Sequence, residues 1–572
     1  MNASSSPRTR GLAVGAIATL VLLLMLPNLL WLWLGTGTDM WRDALVIPAV
    51  LLFALFALFG KRQWIACLLL APFALLAPLE AFYIVTYHRP TFAEIIATLV
   101  ATNPRELREY LGVTLVPSAL CIIAALLVAL LAALWSRREP LQWRRGVRAW
   151  VLTVAVTALL GTGLVAGVTA KGDFSKRLHA GTEKITSLGS AIQFGYPFGL
   201  IQRVVDYRNE WNAMRENVAR LDSFHFHAQR VASIAKRQVY VLVIGEASRR
   251  ANWQLFGYDR ATNPELMRVD NLVPITDMDS SWPESITAIP NILTRKPITE
   301  IKFTWWKEAS ILRAMQEAGY ETYWFSDQQA IGKYDSPVST YAFEAQHAEF
   351  LNHASWSVPG SYDEVLLQPL RDALGDSNRD LFIVLHMMGS HQSYDYRYTA
   401  AYRRFQPTES DTASGVLMTE RIRNGYDNSI LYSDHVLASI IGILRESNAV
   451  TALWYESDHG ESLKTPTCNM EGHGHGTHYE YEISALSWYS DAYASEFPAR
   501  VAALRANARK RTLSADTFES LIDMAGVGFP GHDASRSLFS PRWRYRPRIV
   551  NRPSQLDIDR ARFTKACGVV YR

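Results

Sequence analysis

One-sided charge is what this chain lacks: 58 Lys and Arg stand against 54 Asp and Glu over 572 residues, a formal net charge of +4. That is too little for this length to argue for nucleic-acid binding, and no basic stripe interleaved with aromatics appears. Cysteine is also scarce, with four in all. Cys67 and Cys121 fall inside apolar runs, where they read as small buried hydrophobes. Cys468 and Cys567 leave one possible bridge, which by itself does not place the protein in an oxidising compartment. Internal repeats and low-complexity tracts are missing too.

What is present is unevenly spread. Hydrophobic residues make up 49% of the chain, and the first 170 residues hold the long apolar runs. Five of these match the roughly 20 residues that a helix needs to cross a bilayer: Gly11–Gly35, Ala44–Gly60, Trp64–Tyr87, Leu111–Trp135 and Val151–Thr169. The first is too long, and followed by too many others, for a cleaved signal peptide. Arg8 and Arg10, then Lys61 and Arg62, then Arg137, Arg138, Arg144, Arg145 and Arg148 all fall on one side, which is therefore cytoplasmic. An odd number of spans puts the rest of the chain on the far side, the periplasm of a Gram-negative cell. On that side, Asn103, Pro104 and Glu106 read as a capped helix start. The same loop would turn Thr98, Thr102 and Glu106 towards the catalytic domain as substrate-binding residues, with Glu106 placed to meet a cationic head group.

The expected organisation is a transmembrane domain over 1–170, a membrane-surface connector over 171–236 and a catalytic domain over 237–572. In the last, short apolar runs at Val239–Ile244, Thr322–Phe325, Leu381–Leu385, Ala452–Tyr455 and Ala485–Trp488 alternate with helical patterns at Ser310–Ala318, Tyr362–Ala373 and Asn428–Arg445. Such alternation predicts an α/β fold with a mostly parallel sheet covered on both faces, whose function gathers at the carboxyl ends of the strands. Chemistry-bearing residues lie at those ends: Glu246 after the first run, His386 to His391 after the third, and Ser457-Asp458-His459-Gly460-Glu461-Ser462 after the fourth. Adjacent Asp and His cannot both face a strand's core, but both can converge on one ion at a strand-end turn, and carboxylate with imidazole suits Zn²⁺. In the tract Gly472-His473-Gly474-His475-Gly476-Thr477-His478 three His interleaved with Gly do not suit a core and add imidazoles to the site, with a surface metal-binding tract without catalysis as the competing account.

These segments, with Gly257-Tyr258-Asp259-Arg260-Ala261-Thr262-Asn263-Pro264 and Tyr426-Asp427-Asn428, resemble in order and combination the membrane phosphoethanolamine transferases of Gram-negative bacteria. The resemblance covers essentially the whole chain. It implies a periplasmic alkaline-phosphatase/sulfatase-like domain, phosphatidylethanolamine as donor, and lipopolysaccharide, on lipid A or core sugars, as acceptor. It also implies zinc held by Glu246, a nucleophile hydroxyl near 285, Asp458 and His459, with His391 and His475 on the phosphoryl group or a second zinc. Lys333 matches a substrate-contacting lysine; His473 and His478 match nothing.

The family's nucleophile is usually Thr, whereas Ser281-Trp282-Pro283-Glu284-Ser285-Ile286-Thr287 offers Ser285 in that place. Pro283 favours a helix start there, with Ser285 in its first turn. Ser285 and the few cysteines look more like the core-modifying branch than the lipid A enzymes. The competing readings are a lipoteichoic-acid-synthase-like glycerophosphate transferase and an inactive scaffold of the same fold. A sulfatase is disfavoured because no Cys lies near 285.

Overall fold

The computed structural model describes residues 7–34, 41–87, 90–91, 115–144, 146–155, 157, 192, 194–231, 234–299, 308–330, 336–352, 359–412, 415–551 and 555–571. They form two compact units, Met1–Asn209 and Glu210–Arg572.

The first unit is built on apolar helices α1 (Pro7–Trp33), α2 (Ile47–Phe59), α3 (Gln63–Tyr87) and α4 (Leu115–Arg138). Among the described residues, four helices are long and apolar enough to cross a membrane, at Thr9–Trp33, Arg42–Phe59, Gln63–Val85 and Val116–Arg138. In a bilayer only such closed backbone ladders leave no polar group unpaired. Of the fifth expected span, a helix covers 147–155, and most of the remainder lies outside the described residues. Where α3 and α4 meet, many of the buried side chains are small, Ala66, Ala74, Ala77, Ala129, Ala132 and Ala133, with Leu20 and Leu24 of α1 packed in the same cluster. Small residues let helix backbones approach where lipid removes the hydrophobic drive for association.

The basic turns share one end of this unit. Arg148 donates from Nε to the Ala57 carbonyl at 2.7 Å, and Gln63 Nε2 donates to the Leu141 carbonyl at 3.0 Å. Away from the helix ends a buried ion pair joins Arg203 Nη1 to Glu80 Oε1 at 2.7 Å, with the Thr91 hydroxyl donating to Glu80 Oε2 at 2.7 Å. Charges in an apolar surrounding persist only when paired in this way. Arg203 belongs to α5 (Phe198–Leu221), which carries the chain into the second unit.

The second unit is organised around seven strands: β1 (Gln238–Gly245), β2 (Leu272–Pro274), β3 (Glu321–Ser326), β4 (His347–Phe350), β5 (Leu381–His386), β6 (Val450–Ser457) and β7 (Ala485–Tyr489). Their spatial order is β2-β7-β6-β1-β5-β3-β4. From β6 to β4 all neighbours run parallel, while β7 is antiparallel to β6 and β2 antiparallel to β7. The sheet is thus mixed and mostly parallel.

Burial on both faces explains the unbroken apolar runs. Val239, Val241 and Val243 enter one core with Leu381, Ile383, Leu385 and Leu453. The alternate residues Tyr240, Leu242 and Ile244 enter the other with Phe382, Val384 and Trp454. Helices α6 (Ser285–Leu293), α7 (Ile311–Glu317) and α10 (Thr517–Ala525) contribute to the second core, and α8 (Leu367–Asp376) and α9 (Met418–Glu446) to the first. Two strands had no sequence signal. The four residues of β4 lie exposed or half-buried at the sheet edge, and β2 is three residues long.

Candidate active site

β1 and β6 are neighbours in register, with Gly245 opposite Ser457. Glu246 and Asp458 therefore leave the sheet side by side, and the Asp458 N–H donates to the Gly245 carbonyl at 3.0 Å. The turn after Glu246 is sharp enough to put Ala247 at φ 53°, the left-handed region that non-glycine residues adopt only where their surroundings hold them there. Asp458 Oδ1 is spent on two backbone donors, Ala247 N at 3.2 Å and His459 N at 2.7 Å. Oδ2 is left facing the site.

His459 is oriented from behind. Its Nδ1 lies 2.7 Å from the Gly460 carbonyl, which can only accept, so Nδ1 carries the proton and Nε2 is turned forward. Gly460 is needed for the close approach: a Cβ there would meet the Tyr479 carbonyl at 2.0 Å. The fourth group comes from α6. Ser285 opens that helix with Glu284 as N-cap. Its hydroxyl donates to Glu246 Oε2 at 3.1 Å and lies 3.2 Å from His459 Nε2. Around the same His459 Nε2 stand Glu246 Oε1 at 3.2 Å and Asp458 Oδ2 at 3.6 Å.

Glu246 Oε1 and Asp458 Oδ2 are buried without a hydrogen-bond partner. Two buried carboxylate oxygens converging on one imidazole nitrogen create a demand for positive charge. It shows in the titration of all three groups. Burial, and next the adjacent Glu246 carboxylate, push Asp458 up to about 7. Burial opposes charge on His459, but Asp458 and Glu246 together lift it to about 10. Burial likewise works against an ionised Glu246, yet His459 holds its carboxyl well below the usual range.

A second arc of side chains faces this cluster. Gln328, just past the end of β3, donates from Nε2 to Glu246 Oε2 at 3.3 Å and to the Met387 carbonyl at 2.9 Å. The turn after β5 presses on Glu246, with Ser390 N donating to the Glu246 carbonyl at 2.9 Å. Gly389 sits at φ 53°, where a Cβ would lie 2.8 Å from Glu246 N. Buried Asp363 holds this turn through Met388 N at 2.6 Å and Gly389 N at 3.0 Å. The turn delivers His391, which burial lowers to about 4 and so keeps neutral.

The histidine tract differs from expectation. The ring of His473 lies 4.2 Å from that of His459 and 5.9 Å from that of His391, centroid to centroid. Ligand atoms of Glu246, His459 and His473 come within 4.8 Å of one another. His473 Nδ1 is 3.3 Å from Glu461 Oε2, and Glu461 Oε1 accepts from the Tyr394 hydroxyl at 2.8 Å. His475 instead is exposed, with Nε2 3.0 Å from the Glu471 carbonyl. Gly472, Gly474 and Gly476 all have positive φ, at 88°, 84° and 75°. That path turns His473 inward, whereas the family resemblance pointed to His475. Cys468 and Cys567 are bonded, tying the approach to this loop to the C-terminal tail. Thr102, Glu106 and Lys333 lie outside the described residues.

The expected outcome is that His473→Ala slows turnover by roughly 10- to 100-fold, the range for a group that supports a metal or moves a proton. His475→Ala should stay within about threefold of the parent, as exposed sites away from machinery usually do. Initial rates on purified variants check both, and a larger loss in His475→Ala would return the role to that residue.

Residues 238–527 match the sulfatase family, and residues 48–180 match the family described as phosphoethanolamine transferase EptA/EptB. The chain is 27% identical over 533 residues to phosphoethanolamine transferase EptC of Escherichia coli (strain K12), covering 91% of this chain and 89% of that protein. It is 25% identical over 553 residues to phosphoethanolamine transferase CptA of Salmonella typhimurium, covering 92% and 91%. The crystal structure of the C-terminal periplasmic domain of Escherichia coli EptC, in complex with Zn, matches with a TM-score of 0.52 at 25% identity, covering 60% of this chain and 99% of that one.

Proposed function

The chain belongs to the sulfatase family, among the membrane phosphoethanolamine transferases, and on that premise we propose that it moves phosphoethanolamine from phosphatidylethanolamine to lipopolysaccharide, on lipid A or a core sugar. The observation that carries this reading is the convergence of Ser285 Oγ with Glu246, Asp458 and His459 at the first turn of a helix.

The donor set fits zinc. Two carboxylates, an imidazole nitrogen already turned forward and a hydroxyl are borderline ligands of suitable number, and the two unpartnered buried oxygens would be satisfied by a cation. Bound there, zinc supplies the positive charge that lowers the pKa of a hydroxyl and offsets charge on phosphoryl oxygens.

The chain's own residues do the rest. Ser285 Oγ forms a bond to the donor phosphorus as the bond to the diacylglycerol oxygen breaks. Glu246 Oε2 accepts from that hydroxyl and orients it; the proton the hydroxyl gives up is balanced by one taken from water by the departing diacylglycerol oxygen. The first N–H groups of α6 and its helix dipole face the phosphoryl oxygens. His391 and His473 stand together where the transferred group would lie, and the acceptor oxygen then takes the group from Ser285. In a Gram-negative cell this chemistry would occur on the periplasmic side of the inner membrane, with the shared basic end of the helical unit in the cytoplasm.

Mass spectrometry of lipid A and of core oligosaccharide, from cells with and without the gene, tests the reaction. One phosphoethanolamine gained on either fraction is expected, and the fraction that gains it identifies the acceptor. A glycerophosphate mass supports the alternative transferase, and no change on either fraction overturns both.

A further inference from the structure

At the opposite end of α6 from Ser285 lies a cavity of about 490 Å³ that the proposed chemistry does not use. Helix α6 has nine residues, so the two places are separated by about 13 Å at the usual rise per residue. The cavity also borders the nucleophile loop by a second route. Leu513 lines it, and the next residue, Ser514, accepts from the Ser281 N–H at 3.0 Å, four residues before Ser285.

Its lining holds six Lys and Arg side chains and four carboxylates, and of the six, Arg548 is neutralised by Asp277, Asp279 and Asp559. The arginines are held in place. Arg295 donates from Nε to Glu308 at 2.9 Å and from Nη1 to the Gly531 carbonyl at 2.9 Å. Arg536 donates from Nε to Asp516 at 2.9 Å and from Nη2 to the Ala515 carbonyl at 2.8 Å. Arg546 donates from Nη2 to Asp533 at 2.9 Å and from Nη1 to the Ser535 carbonyl at 3.0 Å. Among the described residues each of the three has one guanidinium nitrogen left over.

Arg511 is less committed still. Its nearest carboxylates stand at 3.4 and 3.7 Å, and its side chain is 58% exposed. What distinguishes the lining is geometry: several guanidinium groups converge on one concavity, each held by some of its donors only. Guanidinium forks fixed from behind, with donors to spare, suit a phosphate or a carboxylate.

We propose that this cavity binds an anionic, phosphate- or carboxylate-bearing segment of the sugar acceptor and anchors it while another part of the same chain reaches Ser285. The identity of the ligand rests on the proposed reaction; the arginine-lined cavity does not.

The test uses full-length protein in detergent, carrying Ser285→Ala so that nothing turns over. The probe is core oligosaccharide freed of lipid, with its phosphates intact or removed by phosphatase. Arg511→Glu with Arg546→Glu should weaken binding of the intact probe by about tenfold or more, as expected when hydrogen bonds to charged groups are lost. Arg511→Lys with Arg546→Lys should lose less, which separates charge from misfolding. Phosphatase treatment should weaken binding if phosphate is the ligand. Undiminished, arginine-dependent binding after treatment assigns the cavity to carboxylates.

With Ser285 restored, the Glu variants should raise the acceptor KM about tenfold while release of diacylglycerol from phosphatidylethanolamine is unchanged. Equal affinity of parent and Glu variants, or no binding of the intact probe, overturns the proposal. Arginine-dependent binding by a protein that transfers nothing to lipopolysaccharide upholds the cavity and overturns the proposed reaction instead.

Discussion

Ser285→Ala should abolish transfer, by about a thousandfold or more, while the protein stays folded and in the membrane. Losses of that order follow when a covalent nucleophile is removed and only binding and electrostatic stabilisation remain. The neighbouring hydroxyls cannot substitute, because each is engaged elsewhere. Ser248 Oγ accepts from the Trp253 indole at 2.8 Å. Ser280 Oγ donates to carbonyls of Trp282 and Asp458, at 2.8 and 2.5 Å. Thr287 Oγ1 donates to the Glu284 carbonyl at 3.1 Å, and Ser281 is buried beside Ser514.

Ser285 alone among these points its hydroxyl at the carboxylate and imidazole pair. Ser285→Thr should keep part of the activity, since it preserves the hydroxyl at the first helical position and adds one methyl group to a half-buried site. After incubation with phosphatidylethanolamine and no acceptor, the wild-type peptide Glu284–Arg295 should carry the mass of phosphoethanolamine. That mass on Thr287 or Ser248, or full activity in Ser285→Ala, would sink the assignment.

How much of this could be read from sequence depended on the kind of signal. Strands β1, β5 and β6 are buried on both faces, so their apolar runs stood out, and the acid or histidine at each end followed from the rule that parallel sheets place function there. Gln328 occupies the same kind of position after β3, but an amide carries no metal-ligand or nucleophile signature, and its role follows from its bond to Glu246.

Helix α9 begins at Met418, ten residues before the expected Asn428, because its first turns are polar. Tyr426 and Asp427 are nonetheless buried there, Asp427 accepting from Asn252 at 2.6 Å and from Tyr258 at 2.8 Å. Hydrophobic periodicity does not register a face that is buried through hydrogen bonds. The resemblance pointed to His475, and the residues themselves could not place His473 beside His459. Alternating Gly and His gives both histidines the same local pattern, and only the three positive φ angles decide which ring turns inward.

Glu246→Gln and Asp458→Asn should each lower zinc content and transfer together. Both replacements keep size and one acceptor oxygen while exchanging the other for an NH2 group, so they remove charge at little cost in shape. Each removes one anionic donor from a site with few ligands, and affinity should fall by at least the roughly 10- to 100-fold that loss of a mere supporting partner costs. Folding should tolerate the change, because Asp458 is already lifted to about 7 by burial and the adjacent Glu246 carboxylate, and a neutral amide relieves that repulsion. His459→Ala should follow the carboxylate variants, since its Nε2 is the atom around which the other donors gather. His391→Ala should behave differently, retaining the metal and losing turnover, because its ring faces His473 across 5.9 Å and it stands outside the group of donors gathered at His459 Nε2. Elemental analysis of purified protein, with a chelator titration, reads metal content independently of activity. Full zinc occupancy in an inactive Glu246→Gln protein would assign that carboxylate to proton transfer from Ser285, the role its 3.1 Å hydrogen bond also permits.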